Sequence, residues 1–285
     1  MNATSRPPRR EINVVAVCYQ RPADRVAVGL QRIAQHHGVA LRGVIVCNRS
    51  QQVQVRLQDS RFDLIQGSNA LLDFSGFFEG MERLLSTRSE AASSNILFVN
   101  DTLFTKHAAS CILGRVLDLD VFLERLSAPA ISGKLDPYRA ICMRNPWSGH
   151  SGYITSFCFL LNSLALPLMR QLPADAHIDG LLGDAEVGDL GWGSQLPHDL
   201  REMLRAHLLY PGSPLLWPAA RSSNSDLLRR KAASSYFEHR LSGHLGKSGV
   251  VVPINAGPRS IASVALNERM ARLSRAIGAK LGVSS

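Results

Sequence analysis

Residues Ser94 to Lys106 read S-N-I-L-F-V-N-D-T-L-F-T-K. Four apolar residues, Ile96 to Val99, run without a polar break into Asn100-Asp101-Thr102. A short apolar run closed by polar residues is the pattern of a strand buried on both faces, as at the centre of a parallel sheet. Open α/β sheets bind ligands outside the carboxyl ends of such strands. Asp101, between an amide and a hydroxyl, therefore suits a divalent cation or a sugar hydroxyl. The plainer alternative is that it caps the helix that follows.

The same pattern recurs upstream. Glu11 to Tyr19 and Leu41 to Cys47 are apolar strands, and Ala23 to His37 between them is a helix with Val26, Leu30 and Ile33 on one side and Gly38 at its end. Strand, helix, strand over this length is the βαβ unit of a parallel sheet. Asp63 to Gln66 predicts a short third strand. Asp73 to Ser86 predicts a helix with a core-facing aromatic stripe. Downstream, the spacing predicts one long helix from Thr105 to Leu126 and strands at Pro129–Lys134, Arg139–Met143 and Tyr153–Leu161. Helices follow at Ser163–Leu172, Pro197–Tyr210 and Asp226–Leu241, then an extended piece at Val250–Ile254. The last element, Ile261 to Leu281, carries Leu266, Met270, Leu273, Ile277 and Leu281 on one narrow stripe, which predicts a helix packed on the body or lying on a membrane surface, packing being the better reading. The fold class is α/β, a mostly parallel central sheet flanked by helices with a helical C-terminal region.

Composition narrows the function classes. At 285 residues with 45% hydrophobic content the chain is ordinary globular material, and no run reaches the ~18 apolar residues of a membrane span. The polar, Arg-rich start lacks the apolar core of a secretory signal, and five cysteines without CxxC spacing read as reduced thiols, so a cytoplasmic setting is expected. Of the net +9, +3 lies in residues 1–10 and +4 in residues 256–285, which leaves +2 for the body. Nucleic acid is a poor partner for such a body. Basic ends suit an anionic surface such as the inner face of a plasma membrane, and they aid solubility equally well.

Three polar clusters share one topological position at predicted strand ends: Tyr19-Gln20-Arg21, Asn48-Arg49-Ser50 and Asn100-Asp101-Thr102, joined by Gly67-Ser68-Asn69 if its strand belongs to the same sheet. GxGxxG, GxxxxGK[ST] and GxSxG are all absent from the sequence. The order of these clusters resembles the nucleotide-sugar half of GT-A fold glycosyltransferases over residues 11–105. Asn100-Asp101-Thr102-Leu103-Phe104 is similar to the rhamnan-synthesis type of bacterial glycosyltransferase, and Ser132-Gly133-Lys134 with the Tyr153–Asn162 segment extends the likeness to about residue 165.

The resemblance implies a Rossmann-like GT-A domain. Residues 11–130 would be its nucleotide-sugar half and 131–255 its acceptor half, between a basic tail (1–10) and a basic amphipathic helix (256–285). It implies transfer of a sugar from a nucleoside diphosphate donor to a glycan or lipid-linked acceptor in surface polysaccharide synthesis. Tyr19, Arg21, Asn48, Gly67, Asn69, Asn100 and Asp101 would form the donor site, with Asp101 as ligand of Mn2+ or Mg2+. Two departures stand out: Asn48 replaces an aspartate, and one carboxylate stands where the family has Asp-x-Asp, so the metal would rest largely on diphosphate oxygens or be dispensable. A non-catalytic glycosyltransferase-like protein at the membrane surface is the alternative.

Acceptor-side chemistry needs a base for the incoming hydroxyl. The glycine-rich acidic loop holding Asp184, Glu186 and Asp189 supplies candidates, Glu186 first, though such loops are as often plain solvated turns. Lys134, Ser156 and His150 are further acceptor-side candidates. Trp147 and Trp192 would stack on a sugar ring, and core packing explains them nearly as well.

Overall fold

The computed structural model describes residues 10–48, 61–138 and 144–280. Most of the basic N-terminal tail, Arg49-Ser50, the expected strand at Arg139–Met143 with Cys142, and Leu281 lie outside the described residues. Seven strands form one mixed sheet: β1 (Arg10–Cys18), β2 (Val39–Cys47), β3 (Phe62–Gln66), β4 (Ile96–Asn100), β5 (Ala130–Pro137), β6 (Gly152–Leu161) and β7 (Val250–Pro253). Their order is β3-β2-β1-β4-β6-β5-β7, with β6 antiparallel to β4 and β5 and every other neighbouring pair parallel. The chain runs outward from β1 through β2 to β3, then crosses to β4 on the other side of β1. The β1/β4 boundary is thus a topological switch point, where the connections diverge and leave a crevice at the carboxyl ends. One sheet continues through both expected halves of the domain.

Alternation along the strands assigns side chains to two layers. Val15 and Val17 join a core with α2 (Asp73–Thr87), α6 (Leu166–Ile178), α7 (His198–Leu208) and α8 (Ser225–Ser248). Val14 and Ala16 join a core on the other face with α1 (Ala23–His36) and α4 (Ala109–Asp118). Both faces of β1 are therefore apolar from Val14 to Val17, as that run of Val and Ala requires. Phe98 stacks on Phe159 across β4 and β6 at 5.0 Å, and Phe77 meets both edge-on at 5.6 Å. Such pairs add about 0.5–1.5 kcal/mol beyond burial. Gly76 and Gly80 let α2 lie close on the sheet. A Cβ on Gly80 would stand 2.4 Å from Val15 Cγ1, and one on Gly76 2.8 Å from Val17 Cγ2. This close approach fixes the amino end of α2, and Asp73 with it, beside the carboxyl end of β1.

Three expectations need correction. The long helix expected over Thr105–Leu126 is broken into α3 (Thr102–Lys106), α4 and α5 (Asp120–Glu124). His107 leaves the helix with extended backbone and stacks on Phe157 at 3.7 Å, while buried Asp120 is held by the Asn95 amide and by Arg10. These long-range contacts outweigh continuous helix propensity. Helices α6 and α8 run further than expected, to Ile178 through Pro173 and to Ser248. The last helix, α9 (Pro258–Lys280), does pack on the body, but not by its apolar stripe. Val264 and Glu268 are buried and Arg275 donates to the carbonyls of Lys106 and His107, whereas Leu266, Met270 and Leu273 are 61%, 58% and 52% exposed. Polar bonds on one face have turned the stripe outward.

Candidate functional site

Asp101 lies at the switch point and is 1% exposed. Although it occupies the N-cap position of α3, its side chain makes no capping bond there. It turns across to the end of β1, where Oδ2 accepts the backbone N–H groups of Tyr19, Gln20 and Arg21 at 2.8, 2.5 and 2.8 Å. Hydrogen bonds to charged groups are worth about 1.5–3 kcal/mol each. The carboxylate therefore holds the first βα loop in shape from a position 80 residues away in sequence. Asn100 supplies the local bond instead, its Oδ1 accepting Thr102 N–H at 3.0 Å.

The loop so held carries Tyr19, whose hydroxyl donates to Asn69 Oδ1 at 2.7 Å. Burial, then the charge of Asp73, pushes the Tyr19 phenol well above its ordinary value, so it stays a neutral donor. Asn69 stands at φ 55°, a left-handed conformation that asparagine tolerates, and its carbonyl accepts from Arg230 Nη1 of α8 at 3.2 Å. Asn48 is 8% exposed; its Nδ2 donates to Leu72 O at 3.2 Å, and its Oδ1 has no partner among the described residues. A buried amide oxygen without a donor is rare and marks a place where a ligand N–H or O–H would fit. Gly67 abuts that oxygen: a Cβ there would stand 2.0 Å from Asn48 Oδ1, so only glycine leaves it room. Tyr19, Asn48, Gly67, Asn69, Asn100 and Asp101 are thus brought together, and Arg21 joins them through its backbone while its guanidinium lies 5.9 Å over Phe104.

Sequence reading missed a second group of polar side chains at the same rim. Asp73, the first residue of α2, accepts from Asn100 Nδ2 at 2.5 Å. Burial, then the opposing effects of Lys231 and the nearby carboxylates Glu238 and Asp101, brings its pKa to about 6. Glu238 of α8 accepts the Ser156 N–H at 2.7 Å, and burial raises its pKa too, against the pull of Lys231. The visible signals were slight: a carboxylate three residues after Gly-Ser-Asn-Ala, and Lys231 and Glu238 two helical turns apart in a helix with many small residues.

The remaining expected residues sit elsewhere or do other work. Asp184, Glu186 and Asp189 are exposed; the Glu186 N–H donates to Asp189 Oδ2 at 2.8 Å, and Arg205 Nη2 of α7 donates to Asp189 O at 2.6 Å. Trp192 is fully buried in the core and has no open face for a sugar ring. Trp147 is half-buried with Arg240 at 4.5 Å over its ring and Tyr236 edge-on. His150 is exposed, its Nε2 3.3 Å from Gly246 O. Lys134 lies 3.5 Å from Asp136 and 3.8 Å from Glu268. Ser156 alone of the acceptor-side candidates touches the rim, through its backbone.

Hard carboxylate oxygens at the rim are of the type Mn2+ or Mg2+ takes. Oδ2 of Asp101 is engaged by three N–H groups, and among the described residues no three His, Cys, Asp or Glu side chains converge on a metal-sized site. Cys18, Cys47 and Cys158 are buried, and Cys111 is half-buried. No described helix is long and apolar enough to cross a membrane. Comparison with protein-family models, curated proteins and solved structures yields no match.

Proposed function

We propose that the chain is a GT-A type glycosyltransferase that binds a nucleoside diphosphate sugar at the β1/β4 switch point and transfers the sugar to a hydroxyl of a glycan or lipid-linked acceptor. The observation that carries this reading is the convergence there of Tyr19, Asn48, Asn69 and Asp101, with one buried amide oxygen unpartnered. In this reading the Asn48 oxygen receives a base or ribose donor, and the Tyr19 ring flanks the base. Arg230, bonded to the Asn69 carbonyl, supplies positive charge toward the diphosphate, which leaves more readily when its developing charge is met. A divalent ion, if used, would arrive with the diphosphate and be met by the Asp101 carboxylate. The α9 stripe, flanked by Arg269 and Arg272, would lie on an anionic membrane surface.

Thermal-shift titration of the full chain with uridine, guanosine and thymidine diphosphates, with and without Mn2+, tests the donor site. A stabilising, saturable shift with one base is expected; no shift with any of them defeats the reading. The engagement of Asp101 Oδ2 by three backbone groups favours a second reading, in which the carboxylate is purely structural and the protein a non-catalytic glycosyltransferase-like partner. Turnover of any sugar nucleotide by the purified protein would exclude it.

A further inference from the structure

Strand β6 runs antiparallel to β4 with Val99 opposite Cys158, so Ser156 lies just past the carboxyl end of β4, level with Asp101. Its N–H holds Glu238, and Glu238 also lines a cavity of about 200 Å3 between β6, α7 and α8. A second cavity of about 290 Å3, walled by Tyr138 and Asp136, shares Tyr153, Met203 and Leu215 with the first. The two adjoin through that shared wall and make one trough that holds Glu238, with an aromatic and apolar wall and a few convergent polar groups, as small-molecule sites have.

The polar groups have definite roles. His207 Nδ1 lies 2.6 Å from Leu215 O and must carry the proton there, which leaves Nε2 as an acceptor. Burial, then Lys231, holds His207 below its ordinary value. Burial, helped by His207 and Lys231, takes His239 down to about 3, and its Nδ1 meets the Tyr138 hydroxyl at 2.8 Å. Both imidazoles are neutral. Lys231 lines the same cavity, and Glu238 is the carboxylate that faces both the trough and Asp73 of the rim.

We propose that this trough is the acceptor-sugar site and that Glu238 is the catalytic base for the acceptor hydroxyl. This rests on the donor reading above. The acceptor O–H proton passes to the Glu238 carboxylate, and the oxygen lone pair forms the new bond to the anomeric carbon. The bond from that carbon to the diphosphate oxygen breaks, and its electron pair leaves with the nucleoside diphosphate. Glu238 returns the proton to water. The ring of Tyr153 takes the C–H face of the sugar, and Lys231 and His207 Nε2 take flanking hydroxyls. Burial raises the Glu238 carboxyl above its ordinary range, which suits a base working near neutral pH.

Two variants test the proposal. Glu238→Gln should keep the wild-type thermal shift with the nucleoside diphosphate, yet lose transfer to octyl-glycoside acceptors by about 100-fold or more. Transfer within threefold of wild type overturns the assignment of the base. Met203→Trp should fill the trough and abolish the chemical-shift changes that a panel of octyl glycosides causes in the wild-type protein without nucleotide. Undiminished binding in that variant, or binding of none of the panel to wild type, overturns the acceptor site. Because this second arm needs no nucleotide, failure of the donor reading is distinguishable from failure of this one.

Discussion

Asp73 keeps a carboxylate where the fold disfavours its charge, and that has a measurable consequence. Its pKa is about 6 in the folded protein against 3.8 for the free side chain. At about 1.36 kcal/mol for each tenfold change in proton affinity, the difference is worth about 3 kcal/mol. Because the folded value is the raised one, the favourable contribution is present below pH 3.8 and is lost as pH rises through about 6. Asp73→Asn keeps the size and can still accept from Asn100 Nδ2. The variant should match wild type near pH 4, gain on it through pH 6, and exceed it by about 3 kcal/mol at pH 8. Urea denaturation at pH 4, 5, 6, 7 and 8 reads this directly. A constant gap across that range, or a variant less stable at pH 8, would refute the electrostatic account of the rim.

Asp101→Ala orphans three backbone N–H groups at about 1–3 kcal/mol each, so a loss of about 3 kcal/mol or more is expected in urea; a loss under 1 would mean the carboxylate does not hold the loop. Gly80→Ala drives a methyl into Val15 and should cost about 1–3 kcal/mol, read as a lowered unfolding midpoint. The full chain should co-sediment with phosphatidylglycerol-containing vesicles but not with phosphatidylcholine alone, and Met270→Glu should reduce this at least fivefold. Equal sedimentation of the variant would place any membrane contact elsewhere.

The strands and most helices were legible because β1, β2 and β4 each carry a continuous apolar run (Val14–Cys18, Val44–Cys47 and Ile96–Val99), short enough to fit a buried strand better than a helix. Strand order was not. Nothing local to Tyr153–Leu161 distinguishes an antiparallel β6 inserted beside β4 from a further parallel strand. The rim was legible as strand ends, yet the work of Asp101 was not, because its partners are backbone groups 80 or more residues away. Asp73 read as the start of a helix and Glu238 as part of another; only their packing around Lys231 makes them a site. The acidic loop at 184–189 drew attention by composition alone, and composition does not distinguish a solvated turn from a cleft. Trp192 was ambiguous for the same reason, and a fully buried ring resolves it to the core.

The central claim, a nucleotide-sugar site at the β1/β4 switch point, is tested most directly by a crystal structure of the protein soaked with the nucleoside diphosphate sugar that gives the largest thermal shift. The account predicts the base beside Tyr19 with a hydrogen bond to Asn48 Oδ1, and the sugar between Asp101 and Glu238. Density for the nucleotide at any other face, with Asn48 Oδ1 still unpartnered, would contradict it.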